Sequence, residues 1–328
     1  MNIDQLRSGV NQALNKQLTE YCASISSIDD QLIPIANSLK DYLSVGKRFR
    51  PIFVLIGYLG AQGKINEQVF AAASSLEFLQ ASALIHDDLM DGSDTRRGKP
   101  AMHKQFGDAA AILIGDLALV WDEQALHNSG LQSPAVNQIH DIMRTELMAG
   151  QFLDVYEQTQ DSFSVERSLK IARYKSGKYS IERPLHYGAA LASPKNLDTF
   201  YSIYSEYGLP LGEAFQLRDD LLGVYGDPSE TGKPAGDDLR EGKRTALIAF
   251  AHDRGDSATK NLIESKLGTS DIAGLADAIE ETGAVIHVED LIEKLAEEAL
   301  GAIERDEINA DAKALLVQMV DVVTKRSR

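Results

Sequence analysis

Apolar residues in this chain recur at steps of three and four. Val69, Ala72, Leu76, Leu79 and Ala83 make one such run, and Leu197, Phe200, Tyr204, Tyr207, Leu211, Phe215 and Leu222 make another. That period gives a helix one apolar side, whereas a half-buried strand needs strict alternation, which is scarce here. The stretches VEDLIEKLAEEALGAIER and ADAKALLVQMVDVVTKR are amphipathic in the same sense, and Lys325 and Arg326 suit a helix C-terminus. The 9 prolines include Pro51, Pro100, Pro134, Pro194, Pro228 and Pro234 at natural breaks, and no linker, low-complexity tract or fixed-period repeat divides the chain. The pattern predicts one all-α domain over residues 1–328.

Hydrophobic residues make up 44% of the 328, enough for a sizeable core. No run approaches the ~18 consecutive apolar residues of a membrane span, and the N-terminus lacks a basic stretch followed by an apolar one. No transmembrane segment or secretory leader is expected. Cys22 is the only cysteine, so no internal disulfide can form, and a reducing cytoplasm is the compartment that fits. The net charge of −16 speaks against nucleic acid as a partner. It also makes each local group of basic residues informative, because such groups stand out against an acidic surface.

Two apolar runs end in aspartates. The first gives LIHDDLMDGSDTRRGKP, with Asp87, Asp88 and Asp91; the second gives FQLRDDLLG, with Asp219 and Asp220. On a helix Asp87 and Asp91 share a face with Asp88 beside them. Carboxylates so close repel one another unless a cation sits among them, and hard oxygen ligands at this spacing suit Mg2+. Either cluster alone reads as a solvated helix end; two on separate apolar runs read as the rims of one cavity. Basic residues follow: Lys47, Arg48 and Arg50 in one loop, Arg96 and Arg97 after the first cluster, Lys175 and Lys178 around Ser176-Gly177, and Lys233, Lys243 and Arg244 after the second. Cations and Mg2+ around one cavity are equipment for a diphosphate.

GKRFRP, LIHDDLMDGSDTRRGKP, GDLAL, KSGKY, FQLRDDLLGVYGD and GKPAGDDLREGKRT run in this order between residues 46 and 245. Together they resemble the trans-isoprenyl diphosphate synthases (polyprenyl synthetases), in particular the bacterial geranylgeranyl type. The resemblance implies an all-α fold around a deep central cavity, a homodimer, and condensation of isopentenyl diphosphate with an allylic diphosphate (dimethylallyl, geranyl or farnesyl). It implies three Mg2+ ions, two on Asp87 and Asp91 and one on Asp219, with Asp88 and Asp220 in support. Arg96, Lys175, Lys233 and Lys243 would hold the allylic diphosphate; Lys47, Arg50, Gln80 and Arg97 would hold isopentenyl diphosphate. Oxygens near Lys175, Ser176 and Gln216 would face the carbocation. The departing diphosphate would take the last proton, which leaves His86 a structural role.

Product length in such enzymes depends on how far the chain slides along the helix below the first cluster. Ser82 and Ala83, five and four residues before Asp87, are small, and no bulky aromatic stops the chain there. Leu79, Leu76 and Trp121 are candidate floors deeper down, while Phe78 is expected to point away. All-trans geranylgeranyl diphosphate or a somewhat longer product is expected. The second cluster departs from the family's DDxxD in ending on Gly223, with Asp237 or Asp238 as candidate replacements, and Gln80 stands where many members place a histidine. Two other readings compete: a class I terpene cyclase, which would not need the GKRFRP site, and a non-catalytic prenyl-diphosphate-binding partner subunit, which would be expected to have lost more of these residues.

Overall fold

The computed structural model describes residues 1–160, 162–228 and 234–325. Lys233 and Arg326 lie outside them. The described chain is all-α but for one small hairpin, in agreement with the periodicity of the sequence. Helix α1 spans Ile3–Ser26, α2 Ile33–Ser44, α3 Phe49–Gly60, α4 Glu67–Met90, α5 Met102–Phe106, α6 Asp108–Ser129 and α7 Pro134–Gln158. Next come α8 (Val165–Ile171), a π-helix (Ala172–Glu182), α9 (Arg183–Ala192) and the long α10 (Leu197–Tyr225). The C-terminal part holds α11 (Asp237–Arg240), α12 (Ala246–Arg254), α13 (Ser257–Lys266), α14 (Leu275–Glu281), α15 (Ala284–Ala302) and α16 (Ala310–Thr324).

Local chemistry sets several starts. Asn66 caps α4 by accepting from the Val69 N–H, and Ser133 caps α7 just before Pro134. Helix α4 is buried on two sides. Leu76 and Leu79 join the main core with α3, α7, α9 and α10, whereas Phe78, Ala81 and Ile85 join a second cluster with α1, α2 and α6. By length and composition α4 could cross a membrane, but 67% of its apolar window lies inside the protein. Helix α10 likewise joins two clusters, with Tyr207, Leu211 and Phe215 in the main core and Leu217, Leu221 and Val224 in the C-terminal one. Both aspartate-bearing helices are therefore fixed from several directions, which holds their C-terminal ends in place.

The hairpin pairs β1 (Thr95–Arg96) with β2 (Lys99–Pro100). Arg97 and Gly98, at φ 54° and 73°, form its turn, the left-handed pair that a two-residue hairpin requires. It directs two adjacent arginines to different places: Arg96 to Asp88, and Arg97 to the carbonyls of Tyr42 and Val45.

A partly buried network behind the π-helix ties α7, α9 and α10 together. Glu146 takes Lys178 at 2.6 Å and Arg183 at 2.7 Å, and Arg183 Nη1 in turn lies 3.0 Å from His186 Nδ1. His186 Nε2 lies 2.9 Å from the Tyr201 carbonyl, so the ring is a neutral acceptor on one side and a donor on the other. Burial, then the Arg183 charge, push its pKa down to about 3 from 6.5. An unfolded histidine takes a proton near pH 6.5 and the folded one does not, so stability is lost as pH falls below 6.5. At pH 5 the loss is about 2 kcal/mol. His186→Gln, whose amide can accept and donate in the same two directions, should flatten the acid limb of thermal stability between pH 6.5 and 5; an unchanged slope in melting experiments would count against this account.

Candidate active site

A cavity of about 910 Å3 opens between the C-terminal ends of α4, α7 and α10, the π-helix and the loop before α3. The sequence-expected residues Lys47, Arg50, Gln80, Ala83, Asp87, Arg96, Arg97, Lys175, Ser176, Gln216, Asp219, Asp220 and Lys243 all line it. Both aspartate-bearing helix ends are thus brought to one space, as their positions at the ends of apolar runs suggest, although of the first cluster only Asp87 lines the cavity and Asp88 and Asp91 do not.

Each carboxylate of the first cluster has its own cation. Asp87 Oδ1 accepts from Lys175 Nζ at 2.9 Å and from Gln151 Nε2 at 2.8 Å. Asp88 accepts from the Arg96 guanidinium, and Asp91 Oδ2 lies 3.0 Å from Lys243 Nζ. Lys175 also meets Asp154 at 2.6 Å, and Lys243 meets Glu241 at 2.7 Å. Asp87 is buried, which opposes its charge, yet the Lys175 and Lys243 ammoniums hold its pKa well below the usual carboxylate range. Burial likewise opposes the charge on Lys175 and Lys243, and the surrounding carboxylates outweigh it, so both stay protonated. Asp91, with less compensation and with Asp87 beside it, is pushed upward by burial.

At the second cluster Asp219 faces the cavity and Asp220 is held from behind. Asp220 accepts from Gln216 Nε2 at 2.8 Å and from the Ala246 N–H at 3.1 Å. Burial raises its pKa to about 7, offset in part by Gln216 and reinforced by Asp238 and Asp219. The Gln216 amide is thereby oriented, and its Oε1 is the atom not engaged with Asp220.

Lys175 and Ser176 reach the cavity from a π-helix that is clamped on two sides. A Cβ on Gly150 of α7 would fall 2.3 Å from the Lys175 nitrogen, and one on Gly212 of α10 would fall 2.6 Å from the Gly177 Cα. Only glycine permits this approach, and a wide π turn at a functional position is a recurrent arrangement.

The opposite end of the cavity is basic. Arg50 donates to Ser180 Oγ at 2.8 Å and stacks 4.2 Å from the Tyr179 ring. Arg97 donates to the carbonyls of Tyr42 and Val45 at 3.0 and 2.8 Å. Among the described residues neither arginine forms an ion pair, in contrast to Arg96, Lys175 and Lys243. Arg48, in the same loop, is buried in the left-handed region at φ 59°. Although it borders the cavity, it pairs with Glu77 at 2.5 Å and donates to the carbonyls of Leu43 and Val45, so its guanidinium braces the loop.

The cavity's two ends therefore differ in kind. One can take a diphosphate directly through Arg50 and Arg97, while the other has carboxylates already matched to cations. At that end the donors are hard oxygens, Asp91 Oδ1 is buried without a hydrogen bond, and two lysine ammoniums stand among the carboxylates. Among the described residues no three acidic or imidazole groups converge closely enough to cage a metal by themselves. This set fits a divalent cation that would be held by these carboxylates together with oxygens of a phosphate-bearing substrate.

Asp154, Gln151 and Glu241 escaped the sequence reading. The first two follow Met143 and Leu147 on one stripe of α7 and continue it as polar residues, a usable signal; Glu241 carries none. His86 contacts the Ile112 carbonyl and packs on Gly115, a structural role as expected. Of the expected chain-length residues, Ala83 lines the cavity, and Leu79 and Leu76 lie in the core with Leu147. Trp121 does not belong to that group. It packs on Phe78 and Tyr21, with ring centroids 6.0 and 5.6 Å away, because α6 covers the face of α4 opposite the cavity. Ser82 is fully buried and lies outside the cavity wall, on the row Phe78–Ser82–His86 that meets α6.

The chain is also similar to known proteins. The chain is 32% identical to the geranylfarnesyl diphosphate synthase of Aeropyrum pernix over 291 residues, 86% of this chain and 90% of that one. The crystal structure of geranylgeranyl pyrophosphate synthase from Corynebacterium glutamicum, complexed with isoprenyl diphosphate and magnesium, matches with a TM-score of 0.93 and 38% identity over all of both chains. The polyprenyl synthase of Caulobacter crescentus, complexed with calcium and isoprenyl diphosphate, matches at TM-score 0.84 and 27% identity over 99% of this chain and 96% of that one. The sequence profile of the polyprenyl synthetases covers residues 34–282, and the chain belongs to that family.

Proposed function

We propose that this protein is a trans-prenyltransferase that joins isopentenyl diphosphate head-to-tail to an allylic diphosphate, giving all-trans geranylgeranyl diphosphate or a somewhat longer product. The observation that carries this reading is the division of one cavity into a carboxylate-rich end and a basic end free of ion pairs at Arg50 and Arg97. The reaction needs that division: one diphosphate must leave with metal help while the other must stay attached. A class I cyclase has no use for the second end, and a non-catalytic subunit has no need of both carboxylate clusters.

In this reading Asp87 and Asp91 hold two Mg2+ and Asp219 a third, with Asp88 and Asp220 fixed behind them by Arg96 and by Gln216. When bound, Mg2+ supplies positive charge to the leaving diphosphate as the C–O bond breaks. Lys175, Lys243 and Arg96, now matched to carboxylates, turn their donors to the same diphosphate, and Lys233 is assigned to it by motif alone. Their fixed positive charge favours the developing negative charge over the ground state. Lys47, Arg50, Gln80 and Arg97 position isopentenyl diphosphate so that its double bond faces the allylic carbon. The main-chain oxygen of Lys175, Ser176 Oγ and Gln216 Oε1 supply dipoles toward the cation formed there. Among the described residues no histidine lines the cavity, and the released diphosphate takes the proton lost from the new bond.

We also read residues 1–328 as one domain, since α10 joins the main and C-terminal cores, and the protein as a cytoplasmic homodimer. Leu113 and Val120, seven apart on α6 and both more than half exposed, offer an apolar face for a second copy, and Cys22 is a free thiol. Purified protein should convert isopentenyl diphosphate with dimethylallyl, geranyl or farnesyl diphosphate to a C20 or somewhat longer product by mass spectrometry, only with Mg2+. It should sediment at about twice the chain mass of 35.8 kDa. No elongation from any starter by folded protein, or a cyclised hydrocarbon, would overturn the assignment; a single-chain mass would overturn the dimer.

A further inference from the structure

The chain contains its own comparison for the second acidic cluster. The first reads Asp87-Asp88-Leu-Met-Asp91 and the second Asp219-Asp220-Leu-Leu-Gly223, so the position one helical turn beyond Asp219 has no side chain. That space is filled. A Cβ on Gly223 would fall 1.9 Å from Asp238 Oδ2 and 2.4 Å from its Cγ. The Asp238 carboxylate, delivered by the short helix α11, lies where a side chain at 223 would begin. The three atoms nearest that Cβ all belong to Asp238, and none to its neighbour Asp237.

The same carboxylate faces a cation. Lys243 Nζ stands between Asp91 Oδ2 at 3.0 Å and Asp238 Oδ1 at 3.7 Å, joining the first cluster on α4 to the end of α10 through α11. Asp91 contributes a second oxygen, Oδ1, that is buried without a hydrogen bond. Here even alanine at 223 would displace Asp238.

We propose that Asp238 is the third carboxylate of the second cluster, admitted by Gly223, and that the cation held at Asp219 is shared between α10 and α11. This rests on the prenyltransferase reading above. Two single changes are then equivalent: Gly223→Ala expels the Asp238 carboxylate and Asp238→Asn removes its charge. Gly223→Asp alone is no improvement, because two carboxylates cannot occupy one space. Combined with Asp238→Gly it returns a carboxylate to that space from α10 itself.

The test is direct counting of bound Mn2+ by electron paramagnetic resonance, with inorganic diphosphate as the anion, alongside the Mg2+ dependence of turnover. Gly223→Ala, Asp238→Asn and Gly223→Asp should each bind one Mn2+ fewer than the unaltered protein, or bind the last one at least tenfold more weakly. Asp237→Asn should keep the full number, and the Gly223→Asp/Asp238→Gly pair should recover it. A full complement of Mn2+ in folded Gly223→Ala, or equal loss in Asp237→Asn, would overturn the role of Asp238. Failure of the prenyltransferase reading looks different, with unaltered protein neither binding Mn2+ beside diphosphate nor elongating a substrate.

Discussion

Asp87→Asn should lower kcat by about 1,000-fold or more and leave the melting temperature within a few degrees of the unaltered protein. The size of the loss follows from the chemistry proposed for the site, in which removing a metal ligand removes charge that acts mainly as the C–O bond breaks. Losing the carboxylate that Lys175 and Lys243 hold ionised costs some stability, and the structure limits that cost. Asparagine keeps the shape of Asp87, and the cations that lose its charge keep other partners: Lys175 retains Asp154 at 2.6 Å, and Lys243 retains Asp91 and Glu241. The change also removes a buried carboxylate from beside Asp91, whose own charge is opposed by burial and by Asp87. Activity and stability therefore part company at this residue. A loss of turnover that tracks a fall of many degrees in melting temperature would mean that Asp87 acts through the fold; near-normal kcat in stable protein would remove it from the site altogether.

Much of this arrangement was legible in the sequence because its signals are local. Helices α4 and α10 announce themselves by long apolar periodicity, and the aspartates appear where those runs end. What escaped depends on partners distant in the chain. Asp154 matters because a residue 21 positions away puts an ammonium beside it, and Glu241 because Lys243 is turned toward the first cluster by the packing of α11. The π-helix at Ala172–Glu182 differs from an α-helix by a small change in turn, fixed by Gly150 and Gly212 on neighbouring helices. Within the Lys47–Arg50 loop, composition could not separate Arg48 from its neighbours. Lys47, Arg48 and Arg50 all border the cavity, but a left-handed backbone at one residue buries the Arg48 guanidinium on Glu77, whereas Arg50 forms no ion pair among the described residues. Trp121 shows the same limit: its large side chain suited a tunnel floor, but the packing of α6 on α4 put it on the far side of the helix.

Ala83→Phe should move the main product from C20 to C15 or shorter, and Ser82→Phe should not. Both residues are small and adjacent, and the sequence treats them alike as chain-length positions. The structure separates them. Ala83 lines the cavity one turn below Asp87, across from Leu147, and one helical turn of about 5.4 Å matches roughly one extended isoprene unit. A phenyl ring there fills space that a growing tail would enter, so elongation should stop at least one unit early with the folded state little changed. Ser82 shares its row with Phe78 and His86, which meet Trp121 and Gly115 of α6, and no part of it lines the cavity. A phenyl ring at that position overpacks the α4–α6 contact, which should cost about 1–3 kcal/mol and a few degrees in melting temperature while product length stays the same. Sizing the products of the two variants by mass spectrometry decides the path. Shortening by Ser82→Phe with Ala83→Phe unaffected would place the tail between α4 and α6, toward Trp121, instead of between α4 and α7.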